Sequence, residues 1–444
     1  MIDNFCRCAL FLALAAAPIA AADDWPMYLY DPTHSSFNAS ESKIGIQNAG
    51  SLQPYWITNL SAPLAAAPTI SGGVAYVGAW DGNFYAIDTT TGGIQWSTYV
   101  GKAADPENSW CMPAIGVTSQ ATVVGNVVYV GGGDSAVYLL DKDTGSQLQR
   151  IPLADPRDGG YLWSSLTLYN NALYLGVASL GDCPLVRGAL VRIDVANPTP
   201  PLFRWLAPEG GVGGGIWSTP AIDPATNTVY VTTGTGEQDP DSGAWGGAML
   251  ALDATSLEIG GYYFLPTNSV DYDIEWGTSP TLFQTSSGLP LVAAIGKDGV
   301  LYAQRRDDLS PAWSVTLAYE CICPECGCGS VSTPAFDGHT LYAGAGTSPD
   351  ADSEAGSVYA IDPDDGSIIW SRLLSGTVIA PVTVGNGVLY VATLEGLVIL
   401  EAATGRLLWS DGPPVTIYSQ PVLSGGRVYC TQMDGKVVAW QPPE

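Results

Sequence analysis

The sequence predicts an all-β fold: one eight-bladed β-propeller of four-stranded antiparallel blades, closed into a ring by a strand from near the N-terminus. Three observations predict it. A strand-and-turn unit recurs eight times along the chain. Within each copy, short alternating runs rich in Val, Ile and Tyr are separated by Gly or Asp-Gly turns. The last copy stops one strand short, while an unassigned strand lies upstream of the first copy.

The first copy shows the pattern. Ala67-Pro68-Thr69-Ile70 opens it, residues 73–78 form a second strand, and residues 81–88 form a turn and a third. After Thr91-Gly92 a fourth strand carries Trp96. Second strands repeat a tyrosine at Tyr76, Tyr129, Tyr174, Tyr230, Tyr342, Tyr390 and Tyr429, with Val292 in the odd copy. Third strands end in an acid at Asp88, Asp141, Asp194, Asp253, Asp362 and Glu401. Fourth strands carry Trp96, Trp205, Trp313, Trp370 and Trp409, and the second and fourth copies lack the Trp. A spacing of about 40 to 57 residues per copy is the scale of a four-stranded propeller blade. The missing strand of the eighth copy is read at residues 52–56, ending on Trp56; docking it onto the C-terminal blade leaves no open seam.

Composition agrees with a large folded chain. Of 444 residues, 46% are hydrophobic and 13% charged, enough apolar material for one large all-β domain. The 52 Gly and 32 Pro are spread along the chain as turns, and 14 Trp with 22 Tyr oppose disorder. Sixteen Lys and Arg against 43 Asp and Glu give a net charge of −27. So acidic a surface repels phosphate backbones and anionic membranes, which argues against nucleic-acid binding, and it favours cations, calcium above all.

Residues 1–22 read as a cleaved secretory signal: a short n-region to Arg7, an apolar run from Cys8 to Ala20, and small residues before Asp23. The apolar run is short for a membrane span and no later segment resembles one. The expected mature chain, residues 23–444, is a single propeller, secreted or periplasmic, in a compartment where disulfides form.

Loops entering the first strands, and loops between second and third strands, lie on one face of a propeller and converge on a funnel. Here they are unusual. Trp110-Cys111, Trp163-Ser164-Ser165, Trp217-Ser218-Thr219 and Trp276-Gly277-Thr278 announce first strands. Second-to-third loops are enlarged at residues 180–188, 234–247 and 347–356.

The Trp-bearing strands, the Asp-Gly turns, the Tyr-Ala-x-Asp thirds and the opening Asp24-Trp25-Pro26-Met27-Tyr28 through Asp31-Pro32-Thr33-His34 resemble the repeats of pyrroloquinoline-quinone (PQQ) enzymes. The resemblance covers nearly all of the expected mature chain and is nearest to the polyvinyl-alcohol-dehydrogenase-like branch. It implies a PQQ- and calcium-dependent oxidoreductase acting on a small or polymeric alcohol and passing electrons to a separate acceptor. Non-catalytic relatives such as the outer-membrane assembly propeller share the repeat, so a binding or assembly scaffold is the second reading.

The resemblance also implies a site. Its flat cofactor lies over a Trp at the start of the fourth blade, which is Trp217 here, with Cys111 and Trp276 beside it. Its calcium ligands and catalytic acid fall on Asp182, Glu237 and Glu275, where the family carries Glu, Asn and Asp; all three remain oxygen donors. Its basic residue, touching both quinone and acid, falls on Lys297. Glu275 is then the expected proton acceptor, assisted by Lys297.

Cysteines give a weaker signal. Cys321, Cys323, Cys326 and Cys328 fit disulfides better than a zinc knot, given the cramped spacing and oxidising compartment. Cys111 and Cys183 should share the funnel face and pair, and Cys430 reads as a buried free thiol. There is no Cys-x-x-Cys-His, hence no c-type haem site. With two His in the chain, Ser-His-Asp chemistry finds no support, whereas a glycosidase carboxylate pair stays open. Asn38 and Asn59 begin glycosylation sequons.

Overall fold

The computed structural model describes residues 24–103, 115–266, 273–320, 323–349 and 356–443. It is an eight-bladed β-propeller of four-stranded antiparallel blades, with a short fifth strand, Gly160–Tyr161, added to the sheet of blade 3. Blade 1 contains Thr69–Ser71, Val74–Gly78, Asn83–Asp88 and Ile94–Tyr99. In blade 8 the strands Val422–Ser424, Arg427–Thr431 and Lys436–Gln441 are completed by Gln53–Asn59, which pairs antiparallel with Lys436–Gln441 and sets Trp56 opposite Ala439. The expected closure of the ring is therefore present. The expected signal, residues 1–22, lies outside the described residues. Among the described residues no helix is long and apolar enough to cross a membrane.

Each recurring residue type has a local task. The third-strand acid caps the turn that follows: Asp88 accepts the backbone N–H groups of Thr90 at 2.9 Å and Thr91 at 2.8 Å. Asp141 and Asp253 repeat the arrangement with Thr144 and Ser256. These hydrogen bonds hold the three carboxyls below the usual range. The turn then needs a left-handed residue, which Gly92 supplies at φ 72°.

That glycine is also where the neighbouring blade docks. The Trp96 indole N–H donates to Lys142 O at 3.1 Å, and its ring covers Gly145, where a Cβ would collide with it. Trp313 covers Gly366 and Trp370 covers Gly405 in the same way, with their N–H groups on Pro363 O and Ala402 O. Trp56 bonds Thr89 O at 2.9 Å and covers Gly92, so the closing strand seals blade 8 against blade 1 by the device used elsewhere in the ring. Blades 2 and 4 lack the Trp, and the matching turn positions of the blades they face hold Pro198 and Leu309 instead of Gly. In the blade that Trp205 faces, the matching turn position is Leu257; Trp205 stays 39% exposed, stacked on Phe203 and under the Arg187 guanidinium.

The inner wall is a hydroxyl relay from blade to blade. The Gln120 N–H donates to Ser165 Oγ, the Ser165 N–H to Thr219 Oγ1, the Thr219 N–H to Ser279 Oγ, and the Ser279 N–H to Thr333 Oγ1. One end of this channel is crossed by residues 24–38. The backbone of Pro32, Thr33 and Ser35 accepts from Ile222, Leu282 and Phe336 in blades 4, 5 and 6. Asn38 and Ser36 exchange backbone bonds with Val384 in blade 7. The Asn38 side chain, 1% exposed, donates to Leu423 O, so in the folded protein this sequon is out of reach of a glycosyltransferase.

His34 is fully buried in this crossing segment. Its Nδ1 meets Pro280 O at 2.8 Å, Nε2 has no partner, and its ring meets Tyr28 edge-on at 5.7 Å. Burial pushes its pKa down to about 4, against smaller opposing effects of Pro280 O and Asp31. The unfolded chain takes up this proton near pH 6.5 and the folded chain only near 4. Stability linked to His34 is thus complete above 6.5 and is lost as pH falls towards 4, by a total of about 3 kcal/mol. Urea titrations of wild type and His34→Gln from pH 7 to 5 should show the variant with the flatter profile; parallel profiles would refute this.

Candidate active site

The enlarged loops of blades 3 and 4 and the entry to blade 5 meet at one side of the funnel. Asp182 comes from the loop between Ala172–Ser179 and Ala189–Asp194. Thr235 comes from the loop between Thr228–Thr232 and Ala248–Asp253. Asp273 and Glu275 precede Thr281–Gln284, and Lys297 occupies the tight turn between Pro290–Ile295 and Val300–Arg305. Backbone pairing sets the register: the Lys297 N–H donates to Glu275 O at 2.9 Å, and the Gly277 N–H to Ile295 O at 2.8 Å.

Asp182, Asp273 and Glu275 each offer an oxygen, and the three oxygens lie within 4.8 Å of one another. Lys297 Nζ stands 2.9 Å from Glu275 Oε1 and 3.0 Å from Asp273 Oδ2. Glu275 Oε2 accepts the Thr235 backbone N–H and, at 3.0 Å, the Thr235 hydroxyl. This requires the backbone to approach closely: a Cβ on Gly234 would sit 2.6 Å from Glu275 Oε2. Glu275 is only 4% exposed, whereas the Asp273 side chain is 45% exposed to the funnel. Burial, with repulsion from Asp273 and Asp182, holds the Glu275 carboxyl above the usual range despite Lys297. Burial works against the Lys297 charge too, but Glu275 and Asp273 outweigh it and raise its pKa. Asp182 is raised by desolvation and by Asp273.

Trp217 adjoins this group, with Lys297 Nζ 5.7 Å from its ring centroid. Its ring also lines a central cavity of about 530 Å³, floored by Tyr28 from the crossing segment. The lining comes from positions two apart in the first-strand entries, such as Trp163 and Ser165, Trp217 and Thr219, Gly277 and Ser279.

Of the residues expected from sequence, Asp182, Glu275, Lys297 and Trp217 are brought together. Glu237 is not: it is exposed, outside the carboxylate group, and Asp273 joins Asp182 and Glu275 instead. Trp276 is likewise corrected. It is 1% exposed, packed against Tyr263 and Tyr302, and its N–H is committed to Gly247 O at 3.1 Å, so it presents no face to a ligand. The reason is register. Aligned on Pro220 and Pro280, Trp217 matches Gly277, so Trp276 matches the buried Ile216; one residue along an extended entry turns a side chain from the cavity to the core. Cys111 lies outside the described residues. Cys183 is disulfide-bonded, and mass mapping of unreduced peptides should find it joined to Cys111; another partner would refute the pairing. Cys323 and Cys326 form a disulfide and Cys328 is also disulfide-bonded, which leaves no set of thiolates for zinc. Cys430 is free and buried as expected.

The donor set fits a hard cation, since three convergent carboxylates are what calcium and its like prefer. A Trp face bordering a cavity of this size fits a flat cofactor.

A family model described as "Outer membrane protein assembly factor BamB" matches residues 48–235 and 354–441. The chain is 21% identical to a polyvinylalcohol dehydrogenase of Sphingopyxis sp., over 94% of this chain and 71% of that protein. It is 22% identical to a polyvinylalcohol dehydrogenase of Pseudomonas sp., over 85% and 68%. Among solved structures, quinohemoprotein alcohol dehydrogenase from Comamonas testosteroni superposes with a TM-score of 0.76, at 18% identity over 96% of this chain and 82% of that one. A europium-containing methanol dehydrogenase gives 0.79, at 15% identity over 95% and 98%.

Proposed function

Since the chain belongs to the PQQ-repeat, quinoprotein-like family, we propose that it is a PQQ- and metal-dependent oxidoreductase that converts an alcohol to the carbonyl and hands the electrons to a separate acceptor. The observation that carries this reading is the convergence of Asp182, Asp273, Glu275 and Lys297 beside the Trp217 ring. A secretory leader would place the protein outside the cytoplasm.

Asp182, Asp273 and Glu275 would hold calcium or another hard cation, and Trp217 would carry the quinone on its π-face. When bound, the quinone supplies a hydride acceptor and the cation supplies Lewis acidity. The rest falls to the chain. Glu275 takes the substrate hydroxyl proton, a role suited to a carboxylate whose pKa is lifted by burial. Thr235 fixes one Glu275 oxygen and Lys297 the other, so the carboxylate is aimed before substrate arrives. Lys297 also offsets the local negative charge. Tyr28 and the hydroxyls of the relay line the cavity beside Trp217.

The test is reconstitution. Purified protein given PQQ and calcium should acquire a quinone absorbance band, and calcium alone should raise its melting temperature, by an increment equivalent to about 2.7 kcal/mol at a hundredfold excess over Kd. Trp217→Ala should abolish the band and leave the calcium effect. With no band and an unchanged melting temperature, the second reading, a binding or assembly scaffold, replaces this one.

A further inference from the structure

The surface that the cavity offers a ligand is largely aromatic, with one charge. Most of its polar lining is committed: Ser165, Thr219, Ser279 and Thr333 accept in the blade-to-blade relay, and Gln120 and Gln420 are each 1% exposed. Five aromatic residues, Tyr28, Trp80, Trp163, Trp217 and Tyr418, line the cavity, and each is only partly buried, so the rings keep open surface. The Trp163 indole N–H donates to Ser179 O at 2.9 Å, which leaves the ring as the group on offer. Among the described residues Glu325 is the only charged side chain in the lining; it is exposed and has no ion-pair partner.

The backbone that carries Glu325 is fixed. Pro324–Cys326 makes one helical turn, which the Cys323–Cys326 disulfide closes and Gly327 caps at φ 99°, its N–H on Pro324 O at 3.1 Å. The Thr347 N–H and hydroxyl both donate to Gly327 O, at 2.7 and 2.6 Å. Tyr418 leads into the first strand of blade 8 and feels the Glu325 charge: burial, and Glu325 after it, hold the phenol pKa above its usual value. Blade 8 lies four blades on from blade 4, so Tyr418 stands across the ring from Trp217.

A carboxylate without a counter-ion, set among π-faces, selects the charge of a ligand. An anion is repelled, in a protein that already carries −27. Calcium takes about six to eight oxygen donors, which one carboxylate among rings does not supply. An alkylammonium group answers both features: its charge meets Glu325, and its methyl or methylene groups meet the ring faces.

We propose that the Glu325 and Tyr418 side of the cavity is a binding site for an organic cation, an alkylammonium head group held between the carboxylate and the aromatic faces. The site itself does not rest on the alcohol-oxidising reading. Under that reading it makes the substrate an alcohol that carries a positively charged amine. Glu325 is then a specificity-determining residue, set apart from Glu275 and Lys297 and taking no part in proton transfer.

The experiment uses the full chain at low salt with no quinone added, so that binding is read and not turnover. Choline and 3,3-dimethylbutan-1-ol share a shape and a hydroxyl and differ by one charge. In ligand-observed NMR titrations wild type should bind choline about five- to tenfold more tightly. Glu325→Gln should erase that preference, weakening choline and not the neutral alcohol. Glu258→Gln removes an exposed acid outside the cavity lining and should keep the preference, which separates the site from the general pull of an acidic surface. Tyr418→Leu should weaken choline about threefold and supplies the test should Glu325→Gln fail to fold. Equal affinities in wild type, no choline binding, a preference that survives Glu325→Gln, or one lost in Glu258→Gln would each overturn the proposal. Choline binding by a protein that takes up no PQQ keeps this site and removes the enzyme reading. A quinone band on a protein that does not prefer choline removes this site alone.

Discussion

Glu275→Gln is expected to lower kcat by about three orders of magnitude while the quinone band on reconstitution persists. The substitution keeps the volume of a residue that is 4% exposed and keeps an acceptor for the Thr235 N–H and hydroxyl. It removes the one function a carboxamide cannot supply, that of taking a proton. Trp217 is untouched, so the seat of the cofactor survives, and Lys297 retains Asp273 at 3.0 Å. Asp273→Asn is the informative companion. Its side chain faces the funnel and shares Lys297, so its loss should raise the cation concentration needed for half-maximal activity by at least tenfold, with a smaller change in kcat once saturated. Steady-state rates across a calcium series separate the two. Should Asp273→Asn abolish turnover at saturating cation while Glu275→Gln retains it, the proton acceptor is Asp273.

Trp56→Ala should cost about 3–5 kcal/mol in urea unfolding, the usual range for truncating a buried Trp. Trp56 is 8% exposed, bonds Thr89 O, covers Gly92 and lies 5.9 Å from the Tyr429 ring centroid. It belongs to the only strand of blade 8 that is remote in sequence from the others, so nothing but pairing and docking holds it there. Trp313→Ala removes a like contact between blades 5 and 6, where the chain itself keeps the partners close. The two variants should therefore differ in proteolysis under native conditions: Trp56→Ala is cut early near residue 60, and Trp313→Ala is not. A loss below about 1 kcal/mol for Trp56→Ala would show that strand pairing alone closes the ring.

The architecture was legible because the repeat carries its own docking code. Each recurring letter answers a local demand: the third-strand acid caps a turn, the glycine after it takes positive φ, and the Trp of the preceding blade lies over that glycine. Trp56 was readable as a displaced fourth strand by the same code. The candidate site was legible only in part. Asp182, Glu275, Lys297 and Trp217, the positions the resemblance implied, lie together, whereas Asp273 is not marked by sequence, because loop acids are abundant and no spacing says which ones turn inward. Asp273 does so from a left-handed backbone, φ 51°, a conformation that Asp accepts more readily than most residues but does not advertise. Trp276 differs for a simpler reason: it stands four residues before Pro280 whereas Trp217 stands three before Pro220, so it falls one residue off the cavity-facing register.

The segment that crosses the end of the channel also fixes a timetable. Leu29 donates its N–H to Gln420, and Asn38 donates to Leu423 O, partners some 390 residues downstream. Leu29 and Asn38 thus wait for the strands of blade 8 to emerge, and Trp56 waits with them for Lys436–Gln441. Blades can pair their own strands as they emerge, since those contacts are local. The clasp cannot shut until blade 8 has emerged, and until then the buried side chains of Leu29 and Ile44 lack part of their final surroundings. Long-range closure of this kind slows folding and prolongs exposure of sticky surface. A ring built this way is sealed late, with residues 24–38 and the Trp56 strand among the last to be placed.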